Sequence, residues 1–287
     1  MERRSVLAAG AAALMPLPAL AQGMKATAKP SNILFAKDVP VVPMAEWEVE
    51  QQGRAEQTGA RILIAAGEAE LARAPANAAR YTSQTFAFPT GKVRVLTFTK
   101  AGGGVLHQIT SETQLYVVKG SATVGVMGVD TDIATGDVVS YPSGVLRGKT
   151  GAAEDTTVLA FTVGNTMKAP KAAVVRAKDT PQAVIAEGEK SGKEGAKVSV
   201  QRYTYDGNSI RVARLTGPGK TSAATPATDV IVYLISGRMQ ITVGDEVKVV
   251  SAGDVLREEA KLPTHWDVLE NSSFVATNAP APGTAQK

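Results

Sequence analysis

The 287-residue sequence has no cysteine and only two histidines, His107 and His265. Disulfides, thiolate metal sites and a cysteine nucleophile are thereby excluded, and any metal site would need histidine and carboxylate ligands. Basic runs with aromatics between them are absent. The net charge of +4, from 31 basic and 27 acidic side chains, is scattered along the chain. No nucleic-acid partner is expected. Long helical periodicity is also missing, apart from short candidate helices at 65–79 and 182–193. With 44% hydrophobic and 20% charged residues, the chain is long enough to bury one large or two medium cores.

The first 21 residues, "MERRSVLAAGAAALMPLPALA", read as an export signal. Arg3 and Arg4 form a charged start, Ser5 to Leu20 carry no charge, and Ala19-Leu20-Ala21 has the small-x-small pattern of a cleavage site. The paired arginines resemble a twin-arginine signal, with only a partial match at Val6-Leu7. The stretch is shorter than the ~20 apolar residues of a membrane span, and Pro16 and Pro18 interrupt it. A periplasmic protein with no membrane association after cleavage is expected.

A repeat organises the remainder. "VRVLTFT" (93–99) matches "IRVARLT" (210–216), "TQLYVVKG" (113–120) matches "VIVYLISG" (230–237), and "ATGDVVS" (134–140) matches "SAGDVLR" (251–257). Each later segment lies 117 residues after the earlier one, counted from Val93 to Ile210, Gly120 to Gly237 and Gly136 to Gly253. A fainter pair, "IAAGE" at Ile64 and "IAEGE" at Ile185, suggests that each unit begins with its own arm. Within the units, short runs of Val, Ile, Thr and Tyr alternate with Gly, Pro, Asp and Asn, the pattern of many short strands. The predicted fold is all-β: tandem jelly-roll barrels with short helical or irregular arms. The expected boundaries are signal 1–21, N-terminal arm 22–60, first barrel 61–167, linker and arm 168–197, second barrel 198–279 and tail 280–287.

These residues resemble the cupin superfamily, whose barrel carries two motifs. The first is a glycine, two histidines one residue apart, a glutamate and a closing glycine; the second is a glycine, a proline, a glycine and a third histidine. "GDVVSYPSGVLR" (136–147) matches the second motif through Gly136, Pro142 and Gly144, and "GDVLREEAKLPTH" (253–265) is a weaker copy. Gly120 and Gly237 are the closing glycines. The chain resembles a bicupin over about residues 60–278.

The resemblance implies four metal ligands per barrel, and the sequence does not supply them. In the first copy the ligand positions hold His107, Ile109, Thr113 and Arg147; in the second they hold Ala224, Pro226, Val230 and Thr264, with His265 one residue beyond. A catalytic first-row metal takes about three protein ligands, and a guanidinium at a ligand position repels the ion. No metal and no cofactor are expected. Glu112 does not rescue the first site: if Thr113, Leu115 and Val117 point inward, Glu112 and Gln114 point to the other face. In the second copy Val230, Val232 and Leu234 take the inward phase, while Ile231, Tyr233 and Ile235 are apolar too. That strand is read as buried on both faces, with barrel-on-barrel packing covering the outer one.

The candidate ligand-binding residues are His107, Thr113, Arg147 and His265; no catalytic residue is assigned. His107 is read either as a polar site residue or as a strand-end histidine. Arg147 is read either as an anion-recognising fork or as an ion-pair partner of Glu112, Asp132 or Asp137. His265 either flanks the mouth of the second barrel or packs beside a buried Trp266. Glu258 and Glu259 are adjacent, so on a strand they face opposite ways and form no acid/base pair. Gly102 to Gly104 lacks the lysine and helix start of a phosphate loop. The leading functional expectation is a metal-free periplasmic binding or scaffold protein holding a small anionic or aromatic ligand in its first barrel, with room for homo-oligomer formation. The competing expectation is a cupin-type lyase, isomerase or dioxygenase acting on a small organic acid, sugar or aromatic compound.

Overall fold

Two seven-stranded antiparallel sheets share one strand order. In the first, the strands run Ala173–Val175, Val138–Tyr141, Glu112–Lys119, Thr156–Val163, Gly91–Phe98, Tyr81–Phe88 and Val41–Pro43. In the second they run Ile33–Leu34, Val255–Glu258, Asp229–Ser236, Ser272–Ala279, Asn208–Thr216, Lys197–Tyr205 and Gln182–Glu187. A four-stranded sheet closes each: Gly102–Gly104, Thr150–Ala152, Ser121–Val126 and Val129–Ala134 in the first half, Gly219–Lys220, Thr264–Val268, Arg238–Val243 and Glu246–Ser251 in the second. The fold is all-β, two jelly-roll barrels in tandem. This computed structural model describes residues 31–43, 81–99, 102–104, 107–108, 111–126, 129–143, 146–147, 150–164, 172–187, 195–205 and 208–280. The expected signal at 1–21, the candidate helix at 65–79, Ile109 and most of the tail lie outside the described residues.

Alternation along the central strands sorts their side chains between two cores. Leu115 and Val117 join Val139, Tyr141, Val158 and Ala160 inside the first barrel. Val230, Val232 and Leu234 join Leu256, Met239, Ile241 and Trp266 inside the second. The opposite phase, with Tyr116 from one strand and Ile231 from the other, enters a third cluster between the barrels that also holds Phe86, Phe161, Tyr203 and Ile210. Tyr233 and Ile235 pack against it. A strand that serves two cores is apolar on both faces, which is why 230–235 shows no polar alternation.

The closing glycines have a steric cause. Gly120 and Gly237 sit at φ +85° and +86°, where side chains are strained. A Cβ at Gly120 would also collide with the Thr156 hydroxyl, and one at Gly237 with the Ser272 hydroxyl.

Two short arms cross between the barrels in reciprocal fashion. Ile33–Leu34 pairs with Val255 and Leu256 of the second barrel, and eight residues on Val41–Pro43 pairs with Thr82–Gln84 of the first. Ala173–Val175 pairs with Val138–Ser140 of the first barrel, and Gln182–Glu187 pairs with Lys197–Gln201 of the second. Each arm turns through a 3-10 segment of identical sequence, Ala36–Asp38 and Ala177–Asp179. The aspartates of the Gly-Asp turns hold these segments: Asp254 Oδ1 accepts from Ala36 N (2.8 Å), and Asp137 Oδ1 accepts from Ala177 N (2.9 Å). Gln84 Nε2 donates to Ala36 and Val39 carbonyls (2.6 and 2.9 Å), and Gln201 Nε2 donates to those of Ala177 and Thr180 (3.0 and 2.7 Å).

One expectation is corrected here. The helix expected at 182–193 is, over its described part, the edge strand Gln182–Glu187, because the neighbouring strand supplies backbone partners that a short isolated helix lacks. Within the connection expected as linker and arm, Ala173–Val175 and Gln182–Glu187 pair with the barrels and Asp137 holds the turn between them.

Candidate ligand-binding site

His107 and Arg147 are register partners in a short antiparallel ladder, His107–Gln108 against Leu146–Arg147. In the second barrel the positions 117 residues later, Ala224 and Thr264, form an isolated antiparallel bridge with reciprocal backbone hydrogen bonds of 3.0 and 2.7 Å. The structure thus brings the first and third ligand positions of the motif together in both halves. Thr113 stands in the next strand along the chain, the central strand Glu112–Lys119, opposite Tyr141 and Thr162. It is nearly buried, and its hydroxyl donates to the Ser111 carbonyl (3.1 Å).

Glu112 faces away from Thr113, toward the second barrel. Fully buried, it accepts from Gln114 Nε2 (2.8 Å) and from Asn208 Nδ2 (3.0 Å), the latter across the interface. Gln114 in turn accepts from the Thr277 hydroxyl (2.6 Å). The Tyr205 hydroxyl is buried beside Ser140 and Thr277 without a hydrogen bond of ordinary geometry. Burial and then the Glu112 charge push it well above the usual tyrosine range. Asp229, the repeat equivalent of Glu112, is bound from both barrels in the same way: Thr90 Oγ1 of the opposite barrel donates to it (2.8 Å), as do Ala260 N (2.8 Å) and Arg257 (3.3 Å) of its own. The recurring acid therefore joins the barrels. The other carboxylates weighed as partners of Arg147 are also engaged, Asp137 by Arg176 (2.9 Å) and Asp132 by the Thr123 hydroxyl (2.6 Å).

His265 does not join the barrel interior. Along Thr264–Val268 the side chains of Thr264, Trp266 and Val268 are buried, while His265 is exposed on the outer face. There it lines a shallow depression of about 170 Å³ with Lys220, Thr221, Gln240, Thr242 and Asp267. Trp266 is buried, stacks on Phe274 with ring centroids 4.6 Å apart, and donates through Nε1 to Glu258 Oε1 (2.9 Å). Glu258 and Glu259 do face opposite ways, since Glu259 pairs instead with Arg257 (3.2 Å).

The sequence reading missed a group of polar residues at the open end of the second barrel. Val230, at the glutamate position of the motif, has Glu258 and Asn278 as its two register partners. Arg211 Nη2 donates to Asn278 Oδ1 (3.2 Å). Burial raises the Glu258 carboxyl above its ordinary range against the opposing effects of Trp266 and Arg211. The detectable signal was phase: Arg211 alternates with Ala213 and Leu215, both core residues.

No protein-family profile and no curated protein sequence matches the chain. Solved structures share its fold. AerE from Microcystis aeruginosa superposes with a TM-score of 0.57 at 9% identity, over 70% of this chain and 93% of that one. An oxalate decarboxylase from Lactobacillus farciminis, in a formate complex, gives 0.56 at 10% identity over 70% and 82%. The protein Ylba from E. coli gives 0.53 at 17% identity over 69% and 83%. At these identities the likeness shows the fold alone.

Another similar structure, an oxalate decarboxylase from Bacillus subtilis, is described with Mn(II) centres. The ligand positions of this chain do not fit such an ion. The second barrel offers Ala224, Pro226, Val230 and Thr264, a single hydroxyl among four side chains. The first offers one imidazole, an isoleucine, a guanidinium and a hydroxyl already donated to a backbone carbonyl. Among the described residues, no group of three or more His, Asp or Glu side chains is placed to hold a metal.

Proposed function

We propose that the chain is an exported bicupin that binds a small anionic or aromatic compound in its first barrel without a metal. The register pairing of His107 with Arg147 carries this reading. It puts a histidine and a permanently cationic arginine side by side in the backbone ladder, at the first and third positions of the motif. A guanidinium suits carboxylate or phosphate there, and Thr113 lies in the next strand along the chain. Export rests on the signal-like residues 1–21, with Gln22 as the first residue of the mature chain.

Enzymatic turnover of a small organic acid is the competing reading, favoured by the oxalate decarboxylases among the structures of like fold. Metal analysis combined with ligand titration separates the two. The binding reading expects far less than one equivalent of Fe, Mn, Ni, Cu or Zn in purified protein. It also expects a small carboxylate to raise the melting temperature of metal-stripped protein, an effect lost in Arg147→Ala. One equivalent of metal, lost with a measured activity in His107→Ala, would establish the enzyme instead.

A further inference from the structure

The second barrel carries Arg202 and Glu258 where the first has the uncharged Thr85 and Tyr141. Arg202 and Arg211 are directly opposed in the ladder between Lys197–Tyr205 and Asn208–Thr216. Both take the interior phase of their strands, shared with Val198, Val200, Ala213 and Leu215. Like charges directly opposed across a ladder repel. Arg211 spends one donor on Asn278, Arg202 is exposed, and among the described residues no carboxylate closes an ion pair on either.

Glu258 stands on the other side of Val230 from Asn278, held by the Trp266 indole. It feels the Arg211 charge but closes no ion pair with it. Two residues before Trp266, the Thr264 hydroxyl is fully buried with no hydrogen-bond partner. A guanidinium that closes no ion pair, a second cation opposed to it and a carboxylate that feels its charge thus share one region of the second barrel. The repeat shows that the fold does not require Arg202, Glu258 or Trp266. Arg211 corresponds to Arg94, but Arg202 corresponds to Thr85, Glu258 to Tyr141 and Trp266 to Lys149.

We propose that the second barrel binds a small hydroxycarboxylate at its open end, the carboxylate bridging Arg202 and Arg211 and the hydroxyl donating to Glu258. A carboxylate matches the guanidinium fork and relieves the repulsion between the two cations. Glu258 supplies selection: a phosphate satisfies the arginines yet meets a like charge, and a carboxylate without a hydroxyl adds no donor to Glu258 beyond the Trp266 indole. This site is separate from the one proposed around His107 and Arg147.

Calorimetric titration of the full chain with glycolate, acetate and inorganic phosphate, in an Arg147→Ala background that silences the first-barrel site, tests it. Glycolate is expected to bind about tenfold more tightly than acetate, the ratio that one additional hydrogen bond of about 1.4 kcal/mol gives. Adding Arg202→Ala, at an exposed position outside the core, is expected to weaken glycolate about tenfold. Adding Glu258→Gln removes the preference over acetate and admits phosphate. The proposal is overturned if glycolate does not bind in that background, binds no better than acetate, or binds as well after Arg202→Ala as before it. Glycolate binding seen in the parent chain and lost in Arg147→Ala would assign the ligand to the first barrel and overturn it equally.

Discussion

Ala224 and Thr264 exchange two backbone hydrogen bonds, and 117 residues earlier His107 and Arg147 hold the same two places in the other barrel. The two barrels thus place the same pair of positions side by side with different side chains. Backbone pairing depends on strand register and not on which side chain each position carries, so the fold tolerates the difference.

The arm locks should respond to acid. Burial alone would raise the Asp137 carboxyl, but hydrogen bonds from Ala177 and Ala134 and the Arg176 guanidinium outweigh it and hold it below its ordinary range. Its contribution is complete above the unfolded-state pKa and is lost as pH falls through the lower folded-state value. Asp137→Ala is expected to cost about 2–3 kcal/mol, the range for hydrogen bonds to a charged group. Hydrogen exchange should accelerate first at Ala177–Thr180. Asp137→Asn should remove the acid sensitivity of that segment.

Glu258 should behave in the opposite sense. Its carboxyl is raised by burial above 4.5, so its favourable contribution is complete below the unfolded-state value and is lost as pH rises through the folded-state one. Melting temperatures measured between about pH 4 and pH 7 should fall less with rising pH in Glu258→Gln than in the parent. An identical pH profile in the two proteins would contradict the burial of this group.

Removing the buried acid between the barrels should be costly. Glu112→Ala strips the acceptor from Gln114 and Asn208, leaving two buried amides short of a partner. At roughly 1–3 kcal/mol for each unsatisfied group, a loss of about 3 kcal/mol is expected in urea unfolding. Glu112→Gln, which keeps an acceptor oxygen, should cost clearly less.

Two glycines offer a controlled comparison. Gly120→Ala places a Cβ at positive φ and against Thr156, whereas a Cβ at Gly151 would meet nothing within 4 Å. Gly120→Ala should destabilise by more than about 2 kcal/mol, combining backbone strain with collision, and Gly151→Ala by less than about 0.5 kcal/mol. Denaturation midpoints of the two variants should therefore separate widely.

Much of this architecture was written in local pattern. The 117-residue repeat, the Gly-Asp turns at 136 and 253, and the alternation of Thr113, Leu115 and Val117 against Glu112 and Gln114 depend only on strand period and turn geometry. So did the doubly apolar strand at 230–235, since a strand packed on both faces has no polar phase to show.

What folding in three dimensions decided was which distant segments meet. Ile33–Leu34 and Ala173–Val175 are too short to declare themselves as strands, and each exists because the other barrel offers it an edge. Their shared Ala-Lys-Asp turn was visible as a second repeat, from Ala36 to Ala177, but its meaning required the Asp254 and Asp137 contacts. Arg202, Arg211, Glu258 and Trp266 lie up to 64 residues apart. Only closure of the barrel brings them to one end, because strand period fixes which face a side chain takes, whereas register and sheet order fix what it faces.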